Sequence, residues 1–230
     1  MDNKHQILKV LVGSRAHGLA TPESDYDYRG VFVVPTVEIL KLGGHTEQTN
    51  WIEGKEDNTS WEIGHFLNMA VHCNPTILET FLAPLCGEHT IKNELYKSDL
   101  GVQLRELFPY VWNSKDVMNA FIGYGHNQRK KFLDNKDQRE AKYATAYLRV
   151  LYNAWELLST GTFSSNMKET SIFKTLKRFK NKEYQIGEVI QTCFDWEEEV
   201  RKAYKENPDK KTNIEPVNEF LLKVRKEYWV

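Results

Sequence analysis

The chain has 230 residues, enough for one large domain or two small ones at about 100–200 residues each. Its 31 basic and 32 acidic residues nearly cancel, and six Trp, eleven Tyr and eleven Phe supply ample apolar mass, which excludes a disordered chain and a protein that coats polyanions by bulk charge. Cys73, Cys86 and Cys193 lie far apart, without the spacing of a disulfide framework or a zinc knuckle. No run approaches the ~20 apolar residues of a membrane span, so a soluble, unsecreted protein of the reducing cytoplasm is expected.

Residues 7–12 predict a short buried strand, apolar except for Lys9 and ended by Gly13-Ser14. Residues 15–24, with Gly18, Pro22 and Ser24, read as a loop or a single helical turn, and Asp25 to Val34 as a second strand stopped by Pro35. After Gly43-Gly44 a third strand is expected over 47–52, closed by Gly54, despite its polar content. From Ile63 the apolar positions Ile63, Phe66, Leu67, Ala70 and Val71 follow the spacing of one helix face. That helix should stop near Asn74-Pro75, because proline disfavours the α conformation in the residue before it, and a short helix follows over 76–82.

Beyond about residue 100 the strand signals fade. Helical stripes fall at Val117, Phe121, Tyr124 and Gln128, and at Ala144, Leu148, Leu151, Trp155 and Leu158, with Gly161 stopping the second. One more helix is expected over 186–205, before a polar stretch with Pro208 and Lys210-Lys211. The division this suggests is a mixed α and β core over 1–105 and a helical domain over 106–230.

The chemistry is concentrated near the N-terminus. Asp25 and Asp27 are two apart on an expected strand, and the two-residue period puts both carboxylates on one face. Carboxylate oxygens are the ligands that magnesium prefers, and two such ions can neutralise the attacking and leaving oxygens of a phosphoryl transfer. On the neighbouring strand end Gly13 permits close backbone approach, and the Ser14 hydroxyl with nearby amides can bind phosphate oxygens. A Gly-Ser pair is by itself an ordinary turn, and Asp-X-Asp an ordinary solvated feature. The combination is far more specific: apolar strand, Gly13-Ser14, short loop, Ser24-Asp25-Tyr26-Asp27, then the apolar strand Val31-Phe32-Val33-Val34.

The segment GSRAHGLATPESDYDYRGVFVVP resembles the signature of nucleotidyltransferases of the DNA polymerase β superfamily, in particular the RNA repair pathway DNA polymerase β family. DNTSWEIGHFLNMAVHCNPTILETFLAP and, more weakly, KYATAYLRVLYNAWELLSTGTF continue the likeness, so that it covers most of the chain. The resemblance implies an α+β fold: a polymerase β-like nucleotidyltransferase core, built as a small mixed sheet with helices, followed by a C-terminal helical domain that binds substrate. It implies Asp25 and Asp27 as catalytic metal ligands for Mg²⁺, with Mn²⁺ as a substitute, and Gly13 and Ser14 on the triphosphate. The implied reaction moves a nucleoside monophosphate from a nucleoside triphosphate such as ATP to an acceptor hydroxyl, with an RNA end as the candidate acceptor. Two competing readings are AMP transfer to a protein hydroxyl and a non-catalytic module that binds nucleotide or nucleic acid; the intact aspartate pair disfavours the second.

The superfamily's third carboxylate is ambiguous in this sequence. Asp57 is the first candidate, both as a catalytic group and as a metal ligand, since it stands just ahead of the helix at 63 and aligns with an aspartate of the family. Glu62 is the second, although Thr59-Ser60-Trp61-Glu62 also matches a capping box in which Glu62 would return to the Thr59 amide. Glu53 is the third. Arg15, His17 and Arg29 flank the motif and could touch phosphate or pair with acids such as Glu23, and Arg15 is the one expected on the nucleotide. Lys142 and Arg149 are seven apart, nearly on one helix face and away from Leu148, Leu151 and Trp155, so they could grip the triphosphate or form a solvated face. The basic run His126 to Lys131 carries the same two readings.

Overall fold

The apolar run Ile7, Leu8, Val10, Leu11 and Val12 is buried throughout, and it forms the edge strand β1 (His5–Val12). In this computed structural model residues 5–42, 48–52, 56–85 and 98–229 are described. Gly43, Gly44, Glu47, Glu53, Gly54 and Cys86 lie outside the described residues. β1 pairs antiparallel with β2 (Tyr26–Val33). β2 pairs in parallel with β4 (Glu56–Glu62), and β4 antiparallel with β3 (Thr49–Ile52), giving a four-stranded mixed sheet in the order β1-β2-β4-β3. A parallel pair needs a crossover, and here the connection from β2 to β4 carries a short helix, α2 (Thr36–Leu40), and β3.

β4 corrects the sequence reading. Glu56-Asp57-Asn58 is poor strand material by composition, and Thr59 to Glu62 match a helix cap. The ladder overrides both: β2 on one side and β3 on the other satisfy the backbone of this segment, so seven mostly polar residues run as a central strand. Glu62 is therefore not a partner for the Thr59 amide. It is itself the N-cap of α3 (Ile63–Val71), accepting from the Gly64 amide at 2.7 Å, and its carboxylate also pairs with Arg225 at 2.7 Å.

α3 ends at Val71, and Asn74-Pro75 opens the next helix, α4 (Pro75–Leu82), more than it closes the last one. The Asn74 side chain accepts from the amides of Thr76 and Ile77, and Pro75 occupies the first turn, where its missing N–H costs nothing. Seven elements follow: α5 (Asp99–Glu106), a 3₁₀ turn over Phe108–Tyr110, α6 (Ser114–Asp134), α7 (Glu140–Thr160), α8 (Phe173–Lys180), α9 (Ile186–Glu206) and α10 (Ile214–Glu227). Gly161, at φ 83°, closes α7 in the left-handed conformation expected of it. α2, α5, α8 and α10 have no counterpart among the helices expected from the sequence.

The chain is α+β, a small mixed sheet followed by mostly helix. The buried side chains form one main core that runs from Ile7 and Val31 through Phe66 and Phe81 to Leu148, Phe179 and Val224. α10 returns to the N-terminal part, where the Thr36 hydroxyl donates to the Arg225 carbonyl at 2.7 Å and the Thr36 amide to that of Tyr228 at 2.7 Å. Among the described residues no helix is long and apolar enough to cross a membrane.

Candidate active site

The sheet register sets the site. Val12, the last residue of β1, is the partner of Asp27 on β2, and Asp27 is in turn the partner of Asp57 on β4. The chain leaves β1 through Gly13 into a single helical turn, α1 (Gly13–Ala16), closed by His17 N donating to Gly13 O at 3.0 Å and Leu19 N to Ser14 O at 2.9 Å. Gly13 has φ 67°, and a Cβ built on it would stand 1.9 Å from Asp27 Oδ2. A glycine is needed there on both counts, conformation and space. Along β2 the period of two carries Asp27 and Arg29 to one side, and both line a cleft of about 610 Å³ together with Asp25, just ahead of the strand, and Gly13 and Ser14. α7 contributes Lys142 and Arg149 to the same cleft, and the end of α8 contributes Lys180.

Behind these cations stands Glu79, on α4, with a relative exposure of 4%. Its Oε1 accepts from Arg149 Nη1 at 2.5 Å and from His17 Nε2 at 2.7 Å, and its Oε2 accepts from Arg29 Nη1 at 2.6 Å. Burial alone pushes the Glu79 carboxyl up, but the charges of Arg149 and Arg29, with His17, hold it well below the usual carboxylate range. His17 is pushed down to about 4, first by burial and then by the Arg149 charge, against the pull of Glu79. It is therefore neutral near pH 7, and since an ionised carboxylate only accepts, the Nε2 proton is on the ring. Two arginines against one carboxylate leave one positive charge in excess at the cleft wall.

The structure thus brings together Gly13, Ser14, Asp25, Asp27, Lys142 and Arg149. It does not bring in Arg15. The Arg15 guanidinium donates from Nε and Nη2 to the Ser24 carbonyl, at 3.1 and 2.6 Å, and lies 3.9 Å from the centre of the Tyr26 ring, so it ties down the loop that precedes Asp25. Asp57 sits on the strand beside Asp27, its side chain outside the described ones. Glu62 is occupied by the α3 cap and Arg225. In the basic run, His126 pairs with Glu197 at 2.8 Å, away from the cleft. Sequence reasoning missed Glu79 and Lys180. Glu79 had a signal: it is the sole charged residue in PTILETFL, an otherwise apolar helix that has to be buried.

Chemically, Asp25 and Asp27 offer hard oxygen ligands, and Lys142, Arg149 and Lys180 offer donors for phosphate oxygens in the same cleft. Among the described residues no group of three or more His, Cys, Asp or Glu side chains is gathered as for a metal.

The chain is similar to an uncharacterized 38.9 kDa protein from the nrdC–mobD intergenic region of Enterobacteria phage T4, 26% identical over 134 residues. That match covers 55% of this chain and 38% of the phage protein, well under two thirds of the relative's length. A broader match, over residues 2–223, takes in the strand-turn-strand motif, the α3–α4 pair and the helices whose cations reach the cleft. With the α+β fold and the cleft already in place, that match shows that the chain belongs to the RNA repair pathway DNA polymerase beta family.

Proposed function

We propose that the chain is a metal-dependent nucleotidyltransferase that moves a nucleoside monophosphate from a nucleoside triphosphate to an acceptor hydroxyl. The observation that carries this reading is the convergence of Asp25, Asp27, Gly13 and Ser14 with Lys142 and Arg149 in one cleft of about 610 Å³. In that transfer the acceptor oxygen bonds to the α-phosphorus, the bond from that phosphorus to the pyrophosphate breaks with its electron pair, and the hydroxyl proton leaves to a base. Lys142 and Arg149 bind the triphosphate and compensate the charge on the departing pyrophosphate. Ser14 holds a phosphate oxygen at the turn where Gly13 leaves room for the Asp27 carboxylate.

The donor set fits a hard divalent cation: two carboxylates two residues apart face the cleft, and a glycine keeps the space beside one of them open. Asp25 and Asp27 would hold Mg²⁺ or Mn²⁺, with Asp57 as third ligand or as the base for the acceptor hydroxyl. When bound there, the cation would supply charge neutralisation at the phosphoryl oxygens and would lower the acceptor hydroxyl's pKa. Incubating the intact chain with each of four labelled ribonucleoside triphosphates and Mg²⁺ or Mn²⁺, against RNA, DNA and protein acceptors, tests the reading. Metal-dependent labelling that disappears in Asp25→Asn and Asp27→Asn is expected. Labelling of protein alone would move the acceptor class, and no metal-dependent incorporation into any acceptor would sink the enzyme assignment.

A further inference from the structure

Residues 168–182 hold six basic side chains, Lys168, Lys174, Lys177, Arg178, Lys180 and Lys182, against one acid, Glu169, in a chain of formal net charge −1. Within this strip α8 buries Leu176 and Phe179 and exposes Lys174, Lys177 and Arg178, at i, i+3 and i+4, on a single face. Like charges at that spacing repel one another, so helix formation supplies no reason for the trio. Cations in a last turn complement the helix dipole, which accounts for Lys177 and Arg178. It does not account for Lys174, in the first turn where the dipole disfavours a cation, nor for Lys168, outside the helix. Arg178 pairs with Glu188 and Lys182 with Glu140, whereas among the described residues Lys168, Lys174 and Lys177 have no acidic partner.

Both ends of the strip abut the candidate active site. Lys180 lines the cleft and donates to the Leu19 carbonyl, Met167 N donates to His17 O at 3.2 Å, and Lys168 Cγ lies 2.7 Å from where a Cβ on Gly18 would stand. We infer that the strip from Lys168 through α8 is the track on which a nucleic-acid strand docks, its phosphodiester backbone along Lys168, Lys174 and Lys177 and its end delivered to the cleft past Lys180. The inference rests on the transferase reading for what happens at that end, but not for the docking itself. A protein acceptor fits the strip less well. Protein interfaces are anchored by apolar and aromatic side chains, and none of the exposed large apolar residues falls between 162 and 182. Spaced cations without anchors are what a phosphate backbone requires.

The test reads binding of the intact chain to labelled RNA and DNA strands of about 20 nucleotides, without nucleoside triphosphate, by fluorescence anisotropy between about 50 and 250 mM salt. The triple variant Lys168→Gln, Lys174→Gln, Lys177→Gln is compared with Lys115→Gln, Lys202→Gln, Lys205→Gln, which removes the same charge from exposed positions on α6 and α9. The strip variant is expected to bind about tenfold or more weakly near 150 mM salt, with a log–log salt slope shallower by about 2, at ~0.7 for each phosphate of a single strand that is no longer neutralised. The α6/α9 variant should bind as the parent does, and Lys→Arg at the three strip positions should restore binding. Equal weakening in the α6/α9 variant would assign the effect to net charge and overturn the track, as would a parent chain that binds neither strand at low salt. Unchanged strand affinity in the strip variant, with metal-dependent transfer intact, would overturn the track and leave the transferase reading in place. Loss of strand binding in the strip variant supports the track even if no transfer is ever seen.

Discussion

The Cα of Gly13 and the carboxylate of Asp27 approach so closely that no side chain fits between them: a Cβ on Gly13 would stand 1.9 Å from Asp27 Oδ2 and 2.8 Å from its Cγ. Gly13 opens α1 directly after Val12, the last residue of β1 and the register partner of Asp27 on the neighbouring strand β2. Gly13→Ala must therefore move the carboxylate and hold an alanine at φ 67°, a conformation that costs an L residue about 1–2 kcal/mol. A loss of stability of that order is expected in urea unfolding, with nucleotide transfer reduced on the order of a hundredfold, since misplacing a catalytic group by about 1 Å has that effect. Transfer that keeps its rate while stability falls would detach Asp27 from the chemistry.

Removing the Glu79 charge should strand Arg29 and Arg149. Glu79→Gln keeps the shape but leaves two partly buried guanidinium groups facing a neutral amide, and breaking a buried pair from one side costs on the order of 3 kcal/mol. Arg149→Gln should lower stability as well, since Glu79 loses its nearest cation. Lys142→Gln, at an exposed position, should leave the melting temperature almost unchanged and raise the KM for the nucleoside triphosphate about tenfold. If Lys142→Gln left KM where it was, its position in the cleft would be ornamental.

The state of His17 predicts a pH dependence. Its folded-state pKa, about 4, lies below the ordinary 6.5, so between these values the unfolded chain binds the proton and the folded chain does not. The stability this contributes is present above about pH 6.5 and is lost as pH falls through about 4, amounting to about 3 kcal/mol at most. Glu79, also depressed, adds loss of the same sign at the acid end. Unfolding free energies measured from pH 7.5 down to 4 should decline in the parent and decline less in His17→Gln. Parallel profiles for the two proteins would refute a neutral buried imidazole.

Asp57 and Glu62 should separate cleanly. Glu62→Gln weakens the α3 cap and the pair with Arg225, for a cost of about 1–3 kcal/mol with transfer retained. Asp57→Asn, beside Asp27 in the sheet, should do the reverse, reducing turnover on the order of a hundredfold or more at nearly constant melting temperature. The opposite ranking would return the third carboxylate to Glu62.

The sequence by itself determined the parts of this protein that depend on short-range pattern. The apolar run 7–12, the β-branched strand at 31–34, the 3.6-residue stripes of α3, α6 and α7 and the Gly161 stop each follow from neighbours a few residues away. The grouping of Gly13-Ser14 with Asp25 and Asp27 was legible for the same reason, because one turn and one strand period suffice to place them in a common cleft. Tertiary structure decided the rest. β4 is a strand because β2 and β3 flank it, against the preference of Glu56-Asp57-Asn58 and the capping pattern at 59–62. Whether a charged side chain served the cleft or the scaffold depended on acceptors remote in sequence, which no local pattern encodes. The Ser24 carbonyl took Arg15, Arg225 took Glu62, and Glu79, distant by 50 to 70 residues from each of its partners, gathered His17, Arg29 and Arg149. A buried carboxylate must be satisfied by whatever the fold brings to it, and that choice exists only once α4 and α7 have packed beside the sheet.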